Sequence, residues 1–242
     1  ILRRATRMLP SDIPLGRRLS RLMQYAHLQN DERIASYFYW IDPESQSSLF
    51  AAEWCEGAGP LSGTNPLVES LSHLPSDVPD LNRMLYLDGK HFLADHNLNY
   101  TDKMGMARGV EVRVPFLDPD LIAFAARLPL HYKQRGHTGK WVLKKAMEPY
   151  LPHGVIYRPK AGFGAPLRHW IRHDLRPMMN DILSESSLNR RGIFNPKSVQ
   201  QLIDGNDAGR IDGAYPIFSI MCIELWCRIF IDSNTPGYVA VA

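Results

Sequence analysis

The chain contains little cysteine: Cys55, Cys222 and Cys227 are the only three in 242 residues. Three cysteines give no paired disulfide framework, and they point to a reducing compartment such as the cytoplasm. Cys222 and Cys227 lie five residues apart in an apolar run with helical character, which places them on different faces of a helix. We expect both to be core residues.

A large excess of one charge is also missing, since the chain has 28 Lys and Arg and 25 Asp and Glu, which gives a net charge of +3. A surface that neutralises many phosphates needs a larger, clustered excess, so we expect no nucleic-acid partner. The arginines of residues 1–54 lie on predicted helices without interleaved aromatics, which favours a solvated basic face over an RNA-binding arm. No apolar run approaches the ~18 residues of a membrane span, and no secretory signal is visible, so we expect no membrane partner.

Strand patterns are scarce, and 110–114 is the one short β-like run. The sequence therefore predicts a mainly α fold, formed by a single helical domain over 1–242. Helices are predicted from a cap at Asp77 through Leu98, from Asp118 to before Pro129, over 139–151, and over 216–231. Their predicted core is Phe124, Leu128, Trp141, Leu143 and the helix of Trp226.

Residues 55–66 form an internal Gly/Pro-rich loop, and 232–242 form a C-terminal tail. Three glycines in the internal loop suggest a phosphate-binding loop. However, no predicted strand precedes these glycines and no Lys-Ser/Thr follows them, so the sequence pattern does not support a phosphate-binding loop.

The stretch 157–166, Y-R-P-K-A-G-F-G-A-P, is the most informative one. Proline excludes helix for the preceding Arg158, and Gly162 and Gly164 allow backbone amides to converge on one point. Together with Arg158 and Lys160, such amides suit a phosphate or an oxyanion. A basic surface loop without a ligand explains the same residues equally well.

Other candidate residues are acidic. Asp88, Asp95 and Asp102 are spaced by seven and fall near one stripe of an α-helix. A solvent-facing stripe is the favoured interpretation for Asp88, whereas Asp95 has apolar neighbours and could serve a site. Glu111 and Arg113 alternate with valines, so both charges face one side of an extended segment, either as a structural pair or as a site lining.

Lys140 opens a predicted helix, where free N–H groups attract anions and an acid would suit helix stability better. The presence of a lysine where an acid would stabilise the helix better favours a functional role for Lys140. His169 and His173 are four residues apart, but no acid follows at metal-ligand spacing, so we expect no metal site.

The motifs, taken in order, resemble the C-terminal part of the synthetase domain of the asparagine synthase (glutamine-hydrolysing) family. The resemblance rests on L-A-D-H-N-L-N-Y-T-D-K-M-G-M-A-R-G-V-E-V-R-V-P-F-L-D at 93–118, on the 158–167 loop, and on R-R-G-I-F-N-P followed by G-A-Y-P-I-F-S-I-M-C-I-E-L-W-C-R-I-F. It implies the helical portion of an α/β domain with an adenine-nucleotide α-hydrolase-like core. Such a protein adenylates the side chain of aspartate with ATP and Mg²⁺, and ammonia from glutamine then displaces AMP.

The resemblance also implies roles for single residues. Lys160 matches the lysine that stabilises charge on the pyrophosphate leaving group, and Lys140 resembles a second pyrophosphate contact. Asp95 matches an acidic position near the acyl-adenylate. Glu111 and Arg113 match an E-x-R pair that shapes the site. Preorganised cations are a direct way to lower the barrier of adenylation.

Two family motifs, S-G-G-x-D-S and S-G-x-G-x-D-E, do not occur in the printed sequence. We therefore expect residues 1–242 to be a C-terminal fragment with half an active site, inactive alone, whose exposed apolar face favours a homodimer. Two alternatives stay open, namely a paralogue that amidates another carboxylate and a non-catalytic helical module that binds an anion or a protein. A degenerate copy would be expected to lose Lys160, Lys140 or Asp95, and all three are present.

Overall fold

The computed structural model of the chain describes residues 25–41, 43–58, 65–159 and 165–232. Within these ranges the α-helices, in chain order, are α1 (Asn30–Ser36), α2 (Pro43–Leu49), α3 (Ala52–Ala58), α4 (Pro66–Ser72), α5 (Asp80–Leu87), α6 (Asn99–Met106), α7 (Pro119–Arg127), α8 (Leu130–Lys133), α9 (Trp141–Met147), α10 (His153–Ile156), α11 (Leu167–Arg172), α12 (Arg176–Ile182), α13 (Glu185–Arg191), α14 (Pro196–Asp207) and α15 (Ala214–Cys227). The remaining elements are π-helices over Asp88–Leu98 and Arg228–Asp232, a 3₁₀ turn over Pro115–Leu117, and strands β1 (Gln134–Arg135) and β2 (Thr138–Gly139).

The fold is mainly helical, as predicted: 67% of it is helix, and the described residues contain only the two-stranded antiparallel sheet β1–β2. The sheet pairs Gln134 with Gly139 and Arg135 with Thr138. Its hairpin was not predicted. The β-like run at 110–114 forms no strand in the structure.

The chain divides into two compact units. The first unit contains the described residues of Asn30–Ala35 and Thr64–Phe163. The second unit contains the other described residues, which are 25–29, the described part of 36–63, and 165–232.

The first unit is organised around Arg83 of α5, which is buried. Its Nε donates to Oδ1 of Asp31 in α1 at 3.1 Å, and its Nη2 donates to the carbonyl of Leu71 in α4 at 3.4 Å. The side chains of Leu71 and Leu87 are fully buried in the same unit. A buried guanidinium needs such partners, because burial without them would cost free energy.

A long helix runs through α5, the π-helix and α6 in the first unit. Its start was predicted with Asp77 as the cap. The observed N-cap residue is Pro79, and it makes no side-chain cap hydrogen bond. The π-helix was not predicted, and it lies in the stretch that contains Asp95.

The second unit holds the larger apolar core. Its buried side chains come from α11 to α15, and the central ones are Ile171, Met179, Ile182, Val199, Ile217, Ile220 and Met221. A short antiparallel bridge adds an early segment to this core. Phe50 pairs with Phe194, their rings stack at 5.3 Å between centroids, and Asn195 N donates to Leu49 O at 2.8 Å.

None of the five residues named in the predicted core is fully buried. Phe124 is 60% exposed, Trp226 is 53% exposed and Leu143 is exposed as well, while Leu128 and Trp141 are half-buried. The prediction was wrong because hydropathy reports which side chains favour burial, not which ones find a packing partner. Helix α7 itself was correctly predicted, and Asp118 caps it by accepting from Asp120 N and Leu121 N at 3.1 and 3.0 Å.

The last helix begins at Ala214 and continues through its π turn to Asp232, close to the predicted range. This helix of 19 residues is long and apolar enough to cross a membrane, so the expectation of no such run was wrong. Length and composition are weak evidence for a span, since core helices share them. Here Ile217, Ile220 and Met221 pack into the core of the second unit.

Cys227 is buried and Cys222 is exposed, so the two cysteines do lie on different faces of this helix, but only Cys227 belongs to the interior.

Candidate functional site

The candidate residues that the structure describes are Asp95, Glu111, Arg113, Lys140 and Arg158, and all five belong to the first unit. Their side chains are exposed. Lys160, Gly162 and Gly164, which complete the basic loop, lie outside the described residues, as do residues 59–64 of the predicted internal loop and the tail after Asp232.

Lys140 has an unusual backbone. It is the N-cap residue of α9 and adopts a left-handed conformation, with φ of 55° and ψ of 36°. This region is uncommon for a lysine and costs about 1–2 kcal/mol, and such strained residues cluster at functional sites. The sequence signal for it is the H-T-G-K stretch, which reads as a turn into a helix but does not reveal the sign of φ.

The β1–β2 hairpin leads directly into Lys140. Gly136, in its turn, has φ of 58° and so supplies the left-handed conformation that the turn requires. The guanidinium of Arg135 lies 5.1 Å from the ring centroid of Trp141, and the ring of Tyr132 lies 5.9 Å from it. These contacts fix the residues on either side of Lys140, so its ammonium group extends from a well-supported backbone.

Asp95 lies in the π-helix and is exposed. The seven-residue stripe of Asp88, Asp95 and Asp102 assumed α-helical geometry. Hydrogen bonds from i to i+5 widen the turn, so each residue advances the helix by less than the 100° of an α-helix. Seven residues therefore no longer return to the same face, and the predicted stripe does not form. A π segment within a longer helix often marks a functional site.

Glu111 and Arg113 form an ion pair with 3.0 Å between Arg113 Nη2 and Glu111 Oε1. The side chains are 66% and 83% exposed. An exposed pair of this kind contributes little to stability. The flanking valines at 110, 112 and 114 are exposed too.

Gly105 of α6 holds this segment close to the long helix. A Cβ atom at Gly105 would lie 2.8 Å from Val110 O and 3.0 Å from Val112 Cγ2. Only glycine permits this approach, and it brings the segment carrying Glu111 and Arg113 against the helix that carries Asp95.

A second group of interacting side chains lies beyond the C-terminal end of α9. Glu148 Oε1 accepts from Lys145 Nζ at 2.8 Å and from Tyr157 Oη at 2.7 Å. The Lys145 ammonium and then the Tyr157 hydroxyl lower the pKa of Glu148, and bonding to this carboxylate raises the pKa of both Lys145 and Tyr157. Sequence analysis missed this group, because the contact between Glu148 and Tyr157, nine residues apart, leaves no periodic signal.

The described residues contain no group of three His, Cys, Asp or Glu side chains that could hold a metal ion. His169 and His173 lie with ring centroids 4.5 Å apart, and His169 Nε2 is 3.6 Å from Asp174 Oδ2. The Mg²⁺ that the family resemblance implies is therefore assigned no ligand among the residues that the structure describes.

Comparison with known proteins gives a consistent result. The family model described as asparagine synthase matches residues 5–228. Asparagine synthetase [glutamine-hydrolyzing] 1 of Bacillus subtilis is 32% identical over 159 residues, which cover 66% of this chain and 25% of that protein. A putative asparagine synthetase [glutamine-hydrolyzing] of Mycobacterium bovis is 30% identical over 235 residues, covering 96% of this chain and 35% of that protein.

A more distant relative, amidase chry2 of Gibberella zeae, is 24% identical over 127 residues, which are 50% of this chain and 19% of that protein. No solved structure gives a significant match. The chain thus spans about a quarter to a third of the length of the asparagine synthetases it matches. The family match covers nearly all of the chain, including every candidate site residue, and the chain belongs to the asparagine synthase family.

Proposed function

We propose that this chain supplies the helical part of the active site of an ATP-dependent asparagine synthase. The observation that carries the proposal is the family match over residues 5–228. The names of two relatives add glutamine hydrolysis as the source of nitrogen. In the proposed reaction the side-chain carboxylate of aspartate attacks the α-phosphorus of ATP and releases pyrophosphate. Ammonia then attacks the activated carbonyl carbon, and AMP leaves with the bonding electrons.

In this proposal Lys160, Lys140 and Arg158 stabilise the negative charge that builds up on the departing pyrophosphate. Exposed side chains and the strained backbone of Lys140 support that role for the two described cations. A cation held in position before the reaction needs no reorganisation as charge develops, which is the main way that enzymes stabilise such transition states. Gly162 and Gly164 would let backbone amides approach the same phosphates.

Asp95 and the Glu111–Arg113 pair have a different proposed role, at the acyl-adenylate. The approach at Gly105 places the segment of Glu111 and Arg113 against the C-terminal end of the long helix, whose π-helical part carries Asp95. Arg113 would hold the orientation of Glu111 through their ion pair, leaving Asp95 to contact the substrate from the neighbouring helix.

The test is to assay the natural polypeptide that contains this chain with ATP, Mg²⁺, aspartate and either glutamine or ammonia, measuring AMP, pyrophosphate and asparagine. We expect Lys160→Ala to lower kcat by about a hundredfold, the usual effect of removing a charge-stabilising group. Lys197→Ala, at an exposed position of α14 in the second unit, is the matched control and should leave kcat unchanged.

The comparisons do not favour the alternative function, amidation of a different carboxylate, because the asparagine synthetases match more of the chain at higher identity than the amidase does. The same assay separates the two. Aspartate-dependent pyrophosphate release supports the asparagine synthase. Release that needs another carboxylic acid supports the paralogue. Residues 1–242 alone should give no AMP, and AMP formation by them would contradict the half-site hypothesis.

A further inference from the structure

The ammonium group of Lys133 attaches the β1–β2 hairpin to two helices of the first unit. Lys133 is the last residue of α8 and directly precedes β1. Its Nζ donates to Oδ1 of Asn82 in α5 at 2.8 Å, and to the carbonyl of Ala126 in the last turn of α7 at 3.0 Å. Helix α5 begins the long helix that continues to Asp95, so the hairpin is connected to the helix of a second candidate residue.

The pairing of the hairpin places Lys133 on the chain opposite Lys140. Gln134 pairs with Gly139 at the open end of the hairpin. Lys133 comes one residue before Gln134, and Lys140 comes one residue after Gly139. In an antiparallel hairpin these two positions lie across from each other at the base. The anchor on Lys133 therefore also restricts where the backbone of Lys140 can lie.

The backbone of Lys140 needs support of this kind. Its φ of 55° lies in the left-handed region, and a strained conformation persists only where the surrounding structure holds it. The contacts of the Trp141 ring with Arg135 and Tyr132 stabilise the hairpin and the residues that flank it. The bonds of Lys133 add the connection to α5 and α7.

Stability alone accounts poorly for a lysine at position 133. The side chain is half-buried, and both of its acceptors are neutral oxygens. Burial lowers the pKa of Lys133, which shows that the charged form is disfavoured there. A lysine can cap the last carbonyls of a helix from an exposed position without losing its solvation. A charge that costs free energy where it stands points to a role beyond capping α7.

We propose that Lys133 is a positioning residue for Lys140 in its proposed contact with pyrophosphate, an inference that rests on the proposed function. Lys133 keeps the backbone of Lys140 at a fixed place relative to the long helix that carries Asp95. A cation positioned before the reaction needs no reorganisation as charge develops, and a small displacement of such a group lowers the rate strongly.

The test is a double-mutant cycle in the natural polypeptide that contains this chain, with inorganic pyrophosphate as the probe. The single variants are Lys133→Met, which keeps a long side chain but removes its donors, and Lys140→Ala. The third variant carries both substitutions. Isothermal titration calorimetry gives the dissociation constant of pyrophosphate, and Tm is recorded for every variant. Asn82→Ala tests the same connection if Lys133→Met does not fold, because it leaves the bond to Ala126 in place.

We expect Lys133→Met to raise the dissociation constant about three- to tenfold when residue 140 is lysine, and less than about twofold when it is alanine. Substitutions that act through one group are not additive, and this difference measures the coupling. Asn82→Ala should weaken binding by a smaller factor. Lys133→Arg should preserve part of the affinity, since it keeps charged donors in a different geometry.

Lys90→Met is the matched control. Lys90 is an exposed lysine of the π-helix whose Nζ donates to another neutral oxygen, the hydroxyl of Tyr86, at 3.2 Å. The substitution is the same, but the contact does not involve the hairpin. We expect the dissociation constant of pyrophosphate to stay unchanged in this variant.

The positioning role is overturned if Lys133→Met lowers Tm and leaves the dissociation constant unchanged, since Lys133 would then only cap α7. Equal weakening with lysine and with alanine at position 140 overturns it as well. Failure of the proposed function gives a different result. In that case Lys140→Ala leaves the dissociation constant unchanged, or the wild-type protein does not bind pyrophosphate, and the inference fails together with the proposed function.

Discussion

Glu224 Oε2 accepts a hydrogen bond from Arg191 Nε at 2.7 Å, and the glutamate side chain is only 3% exposed. The pair joins α13 to the last helix. Arg228, one turn after Glu224, donates to its other carboxylate oxygen at 3.0 Å, and Ser187 adds a contact at 3.3 Å. Arg191 also binds Asp232 at the end of that helix. The buried carboxylate is therefore paired on both oxygens.

Replacing Glu224 with alanine should lower the free energy of unfolding of the second unit by about 3 kcal/mol, because it leaves Arg191 and Arg228 without their shared partner. Urea denaturation followed by tryptophan fluorescence measures the change. Glu53→Gln, at an exposed position of α3, should change stability by less than about 0.5 kcal/mol. Equal effects of the two substitutions would show that the buried ion pair does not stabilise this unit.

Acid should weaken the same cluster. Burial alone would raise the pKa of Glu224, but hydrogen bonds from Arg191 and Arg228 outweigh it, so its pKa is lowered. The pKa of Asp232 is lowered by Arg191. Both carboxylates therefore contribute stability that is fully present above about pH 5 and is lost as the pH falls through their folded-state pKa values. Glu224→Gln should weaken the dependence of the unfolding free energy on pH below about pH 4. If that dependence is unchanged, other groups cause the acid sensitivity.

Lys140→Gly should separate stability from activity. Glycine relieves the left-handed strain at this position, and we expect a gain of about 1 kcal/mol in unfolding free energy together with a lower kcat. The comparison is with Asn30→Gly, since Asn30 also has a positive φ, of 50°, but lies at the start of α1 and not at the candidate site. A variant at 140 with full activity would remove Lys140 from the proposed pyrophosphate site.

Gly105→Ala should displace the segment that carries Glu111 and Arg113, because the new methyl group would meet the Val110 carbonyl. We expect a loss of about 1–3 kcal/mol in stability and reduced activity in the natural polypeptide. Gly89→Ala is the matched control: it lies in the same long helix, and no atom lies within 4 Å of its added Cβ. Thermal unfolding and asparagine formation are measured for both, and similar losses in the two variants would contradict the explanation by steric contact.

Asp118→Ala should destabilise α7 by about 1 kcal/mol, the usual effect of losing an N-cap side chain. Asp118→Asn keeps the accepting oxygen for the amides of Asp120 and Leu121 and should cost much less. Amide hydrogen exchange across 119–127 distinguishes them, and faster exchange in both variants would mean that charge rather than capping stabilises the helix start.

Features that depend on neighbouring residues in the sequence could be predicted. The Asp118-Pro119 start of α7, the last helix and the low strand content all follow from local chemistry, and the motif order indicated the family. Features that depend on tertiary context could not. No pattern of neighbouring residues in 88–98 signals a π-helix. The apolar helix α7 was expected to be buried, but its residue Phe124 is exposed. For the candidate site, residue types were recognisable, but the Glu148–Tyr157 contact and the strained Lys140 required coordinates.

The bridge between Phe50 and Phe194 has a consequence for synthesis on the ribosome. An early segment of the second unit pairs with a strand-like residue that is translated much later, after the whole first unit. At ordinary elongation rates the delay is on the order of ten seconds. During that time Phe50 and its neighbours have no native partner from the later helices, so the first unit can complete its folding while the second cannot begin to close. A nascent chain halted before residue 194 should therefore expose this aromatic segment to chaperones.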